Sequence, residues 1–387
     1  MGYMKDYIGK SLADLENELV KLIKEYNAIK NAYLIVYAGT LNKPDLPTFM
    51  DMEDFYVISD LLRDIYVENL DFYIETPGGI AEAAEEIARF LHSHFGIVTF
   101  VISGEAKSAG TILILSGDEI MMTESGSLGP IDAQLKIGRI PISAIDYIEW
   151  VEEKRKDAEK KGKLNPFDAM TIAQISPGEL KRVFNALQYA KDLVVDWLPK
   201  YKFKNWTITE TREIPVSEEM KRERAIELSE LLTDREKWRS HGRSIKIDDL
   251  ANYLKITKID DDPKLSEIVY RIQTVIRFIF GVSNNYKVFA TADEKLFKTA
   301  FSQQNPIQNP NLKPDVVEID IDCPHCGKKH NIYAKFLPNP QIDIDLKKKG
   351  RTPFPKNNIL RCSCGFEIDL SGLKNDLESK MKNRIIV

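Results

Sequence analysis

Apolar residues recur along this chain with two alternating periods. From residue 11 to residue 30 they fall at helical spacing, with Leu12, Leu15, Leu19, Leu22 and Ile23 on one face, which predicts an amphipathic helix that could serve as an oligomer arm. The run AYLIVYAGT then reads as a buried strand, and TFMDMEDFYVISDLLRDIYV as a helix behind the Pro-containing loop LNKPDLP. DFYIETPGG is a strand closed by a Gly-Gly turn. IAEAAEEIARFLHSHF follows as a helix with Ile80, Ala84, Ile87, Ala88 and Leu91 aligned, and IVTFVIS as a further strand. AKSAGTILILSG predicts a short apolar helix and DEIMMT a strand. Such alternation predicts an α/β layer of parallel strands with right-handed crossovers.

The pattern changes after Pro141. As far as Phe203 it is almost wholly helical, with a charged surface run VEEKRKDAEKKGK. Beyond Thr207, polar helical sequence leads to KWRSHGRSIKIDDLANYLKI, and residues 292–313 are rich in Gln, Asn and Pro, which suits a linker. The expected organisation is an N-terminal helix (1–30), an α/β domain (31–207), a helical extension (208–291), a linker (292–313) and a cysteine-bearing module (314–387). A length of 387 residues supports more than one core.

Composition narrows this picture in three ways. Hydrophobic residues at 43% and charged residues at 29% exclude a disordered chain. A net charge of −5 excludes a global basic field for nucleic acid or anionic lipid. The longest apolar stretches, Tyr33 to Ala38 and Ile112 to Leu115, fall far short of the ~20 residues that span a bilayer. The N-terminus also lacks the apolar core of a signal peptide, so a cytoplasmic chain with no membrane partner is expected. The four cysteines lie beyond residue 320 in two close pairs, a spacing for a metal rather than a disulfide framework.

Acyl transfer needs a nucleophile, a base and donors aimed at the oxyanion. ETPGG ends a strand in a turn without Cβ obstruction, offering the Gly79 amide as one donor. AKSAG opens a helix with Ser108 at the positive end of its dipole and the Ala109 amide beside it as the second. The plainer reading is that Ser108 only caps its helix and that Gly78 and Gly79 only turn the chain.

ETPGG, then KSAGTILILSGDEI, then SGSLGPIDAQ resembles the serine dehydrogenase proteinase family, which belongs with the Clp proteolytic subunit, signal peptide peptidase A and crotonase. The resemblance extends from about residue 30 to about residue 250, including WRSHGR. It implies a Clp/crotonase-like spiral of parallel strands and helices; helical segments and, from the cysteine pairs, a small zinc-ribbon-like β module are expected to follow. It also implies a serine endopeptidase acting on protein or peptide substrates, with Ser108 as nucleophile and Gly79 and Ala109 as oxyanion amides. Gly129-Pro130-Ile131-Asp132 matches the family's signature turn. Relatives form homo-oligomers that hide their sites, and the chain has no Walker loop, so any ATP-driven unfolding needs a separate ATPase or recruiting protein. The competing readings are a crotonase-like acyl-CoA hydrolase or isomerase and a non-catalytic oligomeric scaffold.

The base is harder to place. A Clp-type triad wants a histidine in SGSLGPIDAQL, and none is there; His92 and His94 precede the serine, and His325 and His330 flank the cysteines. A lysine held neutral by burial is the alternative, and Lys154 is the choice because it shares a helix face with Ile148 and Val151. His241, within WRSHGR, is the second candidate. Lys107 could line the site, and Asp132 could orient a catalytic partner or satisfy loop amides.

Cys323-Pro-His-Cys326-Gly and Cys362-Ser-Cys364-Gly resemble the two knuckles of a zinc ribbon, which predicts a structural Zn²⁺ held by four thiolates. The second pair has one intervening residue instead of two, so His325 or His330 could substitute for a ligand. Basic flanks (CGKKH, LKKKGR, FPKNNILR) leave open a protein- or nucleic-acid-binding role for the module.

Overall fold

The computed structural model describes residues 2–386 except Pro44, Ala133, Gly138, Arg139, Ile175, Glu210, Thr211, His241, residues 301–314 and Lys382. It divides into two compact units, Met1–Phe301 and Ser302–Val387.

In the first unit α1 (Leu12–Lys30) leads into β1 (Tyr33–Gly39), α2 (Met52–Leu62) into β2 (Asn69–Glu75), and α3 (Ala81–His94) into β3 (Ile97–Ile102). A short β4 (Glu105–Ala106) precedes α4 (Ala109–Ile114), β5 (Glu119–Met122) and β6 (Ser127–Leu128). The hairpin β7 (Gln134–Ile137) and β8 (Ile140–Ser143) then opens a helical run: α5 (Ala144–Lys161), α6 (Pro166–Ile172), α7 (Pro177–Lys200), α8 (Glu218–Thr233), α9 (Arg235–Trp238) and α10 (Ile247–Leu250). The chain returns through β9 (Thr257–Lys258), α11 (Pro263–Val282), β10 (Asn285–Ala290) and β11 (Lys295–Thr299).

Seven strands form one sheet in the order β11-β10-β1-β2-β3-β5-β9. β1, β2, β3, β5 and β9 run parallel, and β10 and β11 extend the sheet antiparallel. Alternate residues of each strand feed two apolar layers, as the two-residue pleat requires. Tyr37, Phe72, Phe100 and Ile120 join α2, α3, α7 and α8 on one face. Val36, Tyr73, Val101 and Val288 join α1 and α11 on the other.

Two expectations are corrected here. The N-terminal helix is not a free arm: Leu15, Leu19, Leu22, Ile23 and Tyr26 are buried in the layer it shares with α11. Nor is the stretch up to residue 299 an extension and a linker, because α11, β10 and β11 complete the sheet beside β1. Pairing between residues 36 and 290 is nonlocal, and local apolar periodicity carries no trace of it. Among the described residues no helix is long and apolar enough to cross a membrane.

The second unit pairs β12 (Val316–Asp322) with β13 (Lys329–Lys335), adds α12 (Pro340–Lys348) and β14 (Thr352–Pro353), and closes with the β15 (Ile359–Arg361) and β16 (Glu367–Asp369) hairpin and α13 (Ser371–Met381). Its buried core is small: Ile332, Ala334, Phe336, Phe354, Leu370 and Ile385.

Candidate active site

The site forms where β2 ends. Thr76 reaches across to Ala106 as an isolated parallel bridge, its amide donating to the Glu105 carbonyl at 2.8 Å while Lys107 N–H donates back to Thr76 at 3.0 Å. This bridge places the Pro77-Gly78-Gly79 turn beside Ser108. Gly78 has φ +113°, and a Cβ there would stand 2.8 Å from the Ser108 Cβ, so only glycine fits. At Gly79 a Cβ would lie 2.1 Å from the Met50 carbonyl oxygen.

Ser108 occupies the N-cap position of α4 but does not act as a cap. Its φ of 49° and ψ of −114° lie in a sparsely populated region, and its side chain makes no capping hydrogen bond. Backbone held this way costs ~1–3 kcal/mol and persists where surrounding packing over-determines it. Here the packing is complete, since every residue of α4 is buried. Ser108 itself is half-buried, at the mouth of this turn. The hydroxyl is therefore presented rather than spent on the helix. Among the described residues neither the Gly79 nor the Ala109 N–H has an acceptor within the protein. A half-exposed hydroxyl with two uncommitted amides on adjoining turns is an arrangement for receiving a carbonyl.

Lys107, beside Ser108, is buried and committed. Its Nζ lies 3.2 Å from the Arg243 carbonyl and the Ser244 hydroxyl, 3.4 Å from the Leu128 carbonyl and 3.4 Å from Glu105 Oε2. Burial pushes its pKa down, against the pull of Glu105. Oxygens that can all accept surround it, which suits the three donors of an ammonium better than a base waiting for a proton. It pins the turn after β6, and the segment that bridges Leu128 to Ile245, to the stretch that carries Ser108. That segment is the end of WRSHGR.

The remaining candidates lie on other elements. Lys154 projects from α5, its ammonium 3.8 Å from Glu153 and 6.0 Å from the Trp150 ring centroid, with 21% of the side chain exposed. Asp132 is buried and accepts from the Ser143 hydroxyl at 2.8 Å, and Ser143 caps α5. It thereby ties the start of the lysine-bearing helix to the Gly129-Pro130-Ile131 turn. His241 lies outside the described residues. A further contributor escaped the sequence reading: Met50, whose N–H donates to the Gly78 carbonyl at 2.7 Å and whose carbonyl accepts from Ile80 at 3.1 Å. The only signal near it was the Asp51-x-x-Asp54 spacing of a capping box, which the structure forms at the start of α2.

In the second unit the four cysteines converge. Their sulfurs all lie within 4.8 Å of one another, with Cys323 to Cys364 at 3.7 Å and Cys326 to Cys362 at 3.6 Å. A tetrahedral thiolate cage needs sulfurs ~3.8 Å apart, so the set fits a metal ion. Each knuckle closes on a left-handed glycine, Gly327 (φ +71°) and Gly365 (φ +88°), whose amides donate to Cys323 and Cys362. The Cys364 backbone amide is the chief reason that the Cys362 thiol is held down, at about 5. His325 stacks instead on Phe366 at 6.0 Å. The short Cys-x-Cys spacing does not keep Cys362 or Cys364 away from the other two sulfurs.

Comparison with known proteins locates the same region. Residues 44–207 match the family model described as ClpP-like SDH-type serine proteinase. Two uncharacterized proteins of Methanocaldococcus jannaschii, MJ0137 and MJ1495, are 36% identical over 110 residues and 41% identical over 76 residues. These matches take in 28% and 20% of this chain, and the chain covers only 37% and 25% of those proteins. Solved structures of two mutants of the 1510-N membrane-bound stomatin-specific protease, one in complex with a substrate peptide, align at 12% and 13% identity and a TM-score of 0.32. They cover 56% and 65% of this chain and 76% and 82% of their own, a likeness too distant to argue from. Residues 44–207, carrying Ser108 and both amides, are thus the part of the chain that is similar to the ClpP-like SDH-type serine proteinases, the family that the motifs resemble.

Proposed function

We propose that the chain is a serine peptidase that cleaves peptide bonds through an acyl-enzyme on Ser108. The observation that carries this reading is the Ser108 backbone itself, held at φ 49° with a hydroxyl that does not cap its helix. In the first step Ser108 Oγ bonds to the scissile carbonyl carbon while its proton passes to a base. The carbonyl oxygen, now an oxyanion, receives the Gly79 and Ala109 N–H groups. The C–N bond then breaks, the base returns the proton to the leaving amine, and water hydrolyses the Ser108 ester by the same route in reverse.

Lys154 is proposed as the base, supported by the tether through Asp132 and Ser143 that fixes its helix next to the Gly129 turn. His241 is its rival, since Arg243 and Ser244 of the same segment touch Lys107. Zn²⁺ is proposed as the metal of the four-cysteine site, where it would hold the second unit together and leave no open position for water.

Fluorophosphonate labelling tests the reading. Wild type should label at one serine, Ser108→Ala not at all, and Lys154→Ala at least ~100-fold more slowly. Undiminished labelling of Ser108→Ala would remove the nucleophile. Full labelling of Lys154→Ala together with loss in His241→Ala would transfer the base to the histidine.

A further inference from the structure

A group of four charges sits behind the Gly78-Gly79 turn, on β10, β11 and the start of α2. Lys287 and Asp54 are fully buried, both 0% exposed, and Lys287 Nζ lies 2.7 and 2.9 Å from the two Asp54 oxygens and 3.2 Å from Asp51 Oδ2. Lys298 Nζ adds a contact of 3.0 Å to Asp54, and the Tyr37 hydroxyl donates to Asp54 at 2.9 Å. Two cations and two carboxylates balance one another.

Such a cluster is weak evidence for stability, because an apolar replacement of similar shape is often as stable. What it supplies is geometry. Asp54 Oδ2 accepts from the Asp51 N–H at 3.0 Å, and Asp51 Oδ1 accepts from the Asp54 N–H at 3.2 Å, so the carboxylates that Lys287 grips also fix the backbone at Asp51. The preceding residue is Met50. Its N–H and carbonyl clamp Gly78 and Ile80 on either side of Gly79, with no room for even a methyl group between Met50 and Gly79. A path of hydrogen bonds and backbone therefore runs from β10 through the first turn of α2 to the turn that carries the Gly79 amide.

We propose that Lys287 is a positioning residue for the Gly79 oxyanion donor, acting through Asp54, Asp51 and Met50. The proposal rests on the reading of Ser108 as the nucleophile. Lys287 lies outside the stretch that matches the protease family, so the last strands of this unit would take part in the chemistry although they never touch the substrate. An oxyanion donor works only within a few tenths of an ångström of its best distance, and losing one costs roughly 10²–10³ in rate. Displacing one should cost less.

The test is Lys287→Met in the full chain, with fluorophosphonate inactivation measured over a range of probe concentrations. The expected result is a maximal inactivation rate reduced at least ~10-fold with half-saturation unchanged within about twofold. Affinity for a peptide aldehyde, whose hemiacetal oxygen occupies the same pocket, should weaken in step, while the far-UV circular dichroism stays native. A natively folded Lys287→Met with rate and aldehyde affinity within about twofold of wild type overturns the proposal. If Lys287→Met does not fold, Lys298→Met gives the answer. There a fall of two- to fivefold in rate, matched by the aldehyde, supports the path, and an unchanged rate overturns it. Undiminished labelling of Ser108→Ala is a separate result, which removes the nucleophile reading whatever Lys287 does.

Discussion

The two units of this chain solve the same problem with different means. The first buries both faces of a seven-stranded sheet, so that Phe72, Phe100 and Tyr37 pack against helices on one side while Val101 and Val288 pack on the other. The second has, among the described residues, a core cluster of six buried apolar side chains and four cysteines whose sulfurs meet. A core that small rarely supplies enough burial to offset chain entropy, and small domains of this kind depend on a staple. Ser108, the proposed nucleophile, lies in the unit that has no such dependence. Strain at Ser108 is tolerable there because the surrounding packing is deep, whereas a metal held by the four cysteines would be the staple of the second unit.

That contrast can be broken experimentally. The largest effect should come from the metal. Chelation, or Cys323→Ser, should remove the bound ion as measured by elemental analysis and abolish the melting transition of the second unit, since a structural zinc contributes roughly 10 kcal/mol or more to folding. Labelling of Ser108 and the transition of the first unit should persist. The converse substitution is Phe100→Ala, at a fully buried position 5.5 Å from the Phe72 ring centroid. It should cost ~3–5 kcal/mol and lower the melting temperature of the first unit alone. A shift of both transitions in either variant would show that the two units do not fold independently.

The smallest effect sharpens the comparison through pH. Burial raises the Glu75 carboxyl above its ordinary 4.5, with Arg277 and Tyr73 opposing. The folded chain then holds this proton more tightly than the unfolded chain, so the Glu75 contribution is fully present at low pH. It is lost as pH rises from 4.5 through the folded value. Glu75→Gln should flatten that slope in denaturant titrations run upward from pH 4.5, and leave the second unit's transition unmoved. A slope equal to wild type would assign the dependence to another group.

Much of this molecule is legible from residue patterns alone. The parallel strands, the helices between them and the glycine-closed cysteine knuckles are written in local periodicity and turn chemistry, as at Ile87, Ala88 and Leu91 on α3 or Gly327 after Cys326. The β7–β8 hairpin at the start of the stretch read as helical is not, because four-residue strands are too short to show an alternation. Pairing of Val36 with Ala290 and the burial of Lys287 depend on contacts more than 200 residues apart in sequence. A lysine in a strand looks like surface until the carboxylates that neutralise it are seen. Lys107 shows the same limit: its type and position suggest chemistry, while its carbonyl and hydroxyl neighbours give it a structural task.

The two borders of the large sheet carry a further consequence, for aggregation. One border is β9, two residues long; the other is β11, where Lys298 turns its ammonium inward to Asp54 and Lys295 pairs with Glu16. Short edges and inward-pointing charges are devices that deny a neighbouring chain a template for strand addition. Copies of this unit crowded together are thereby discouraged from zipping edge to edge into a continuous sheet.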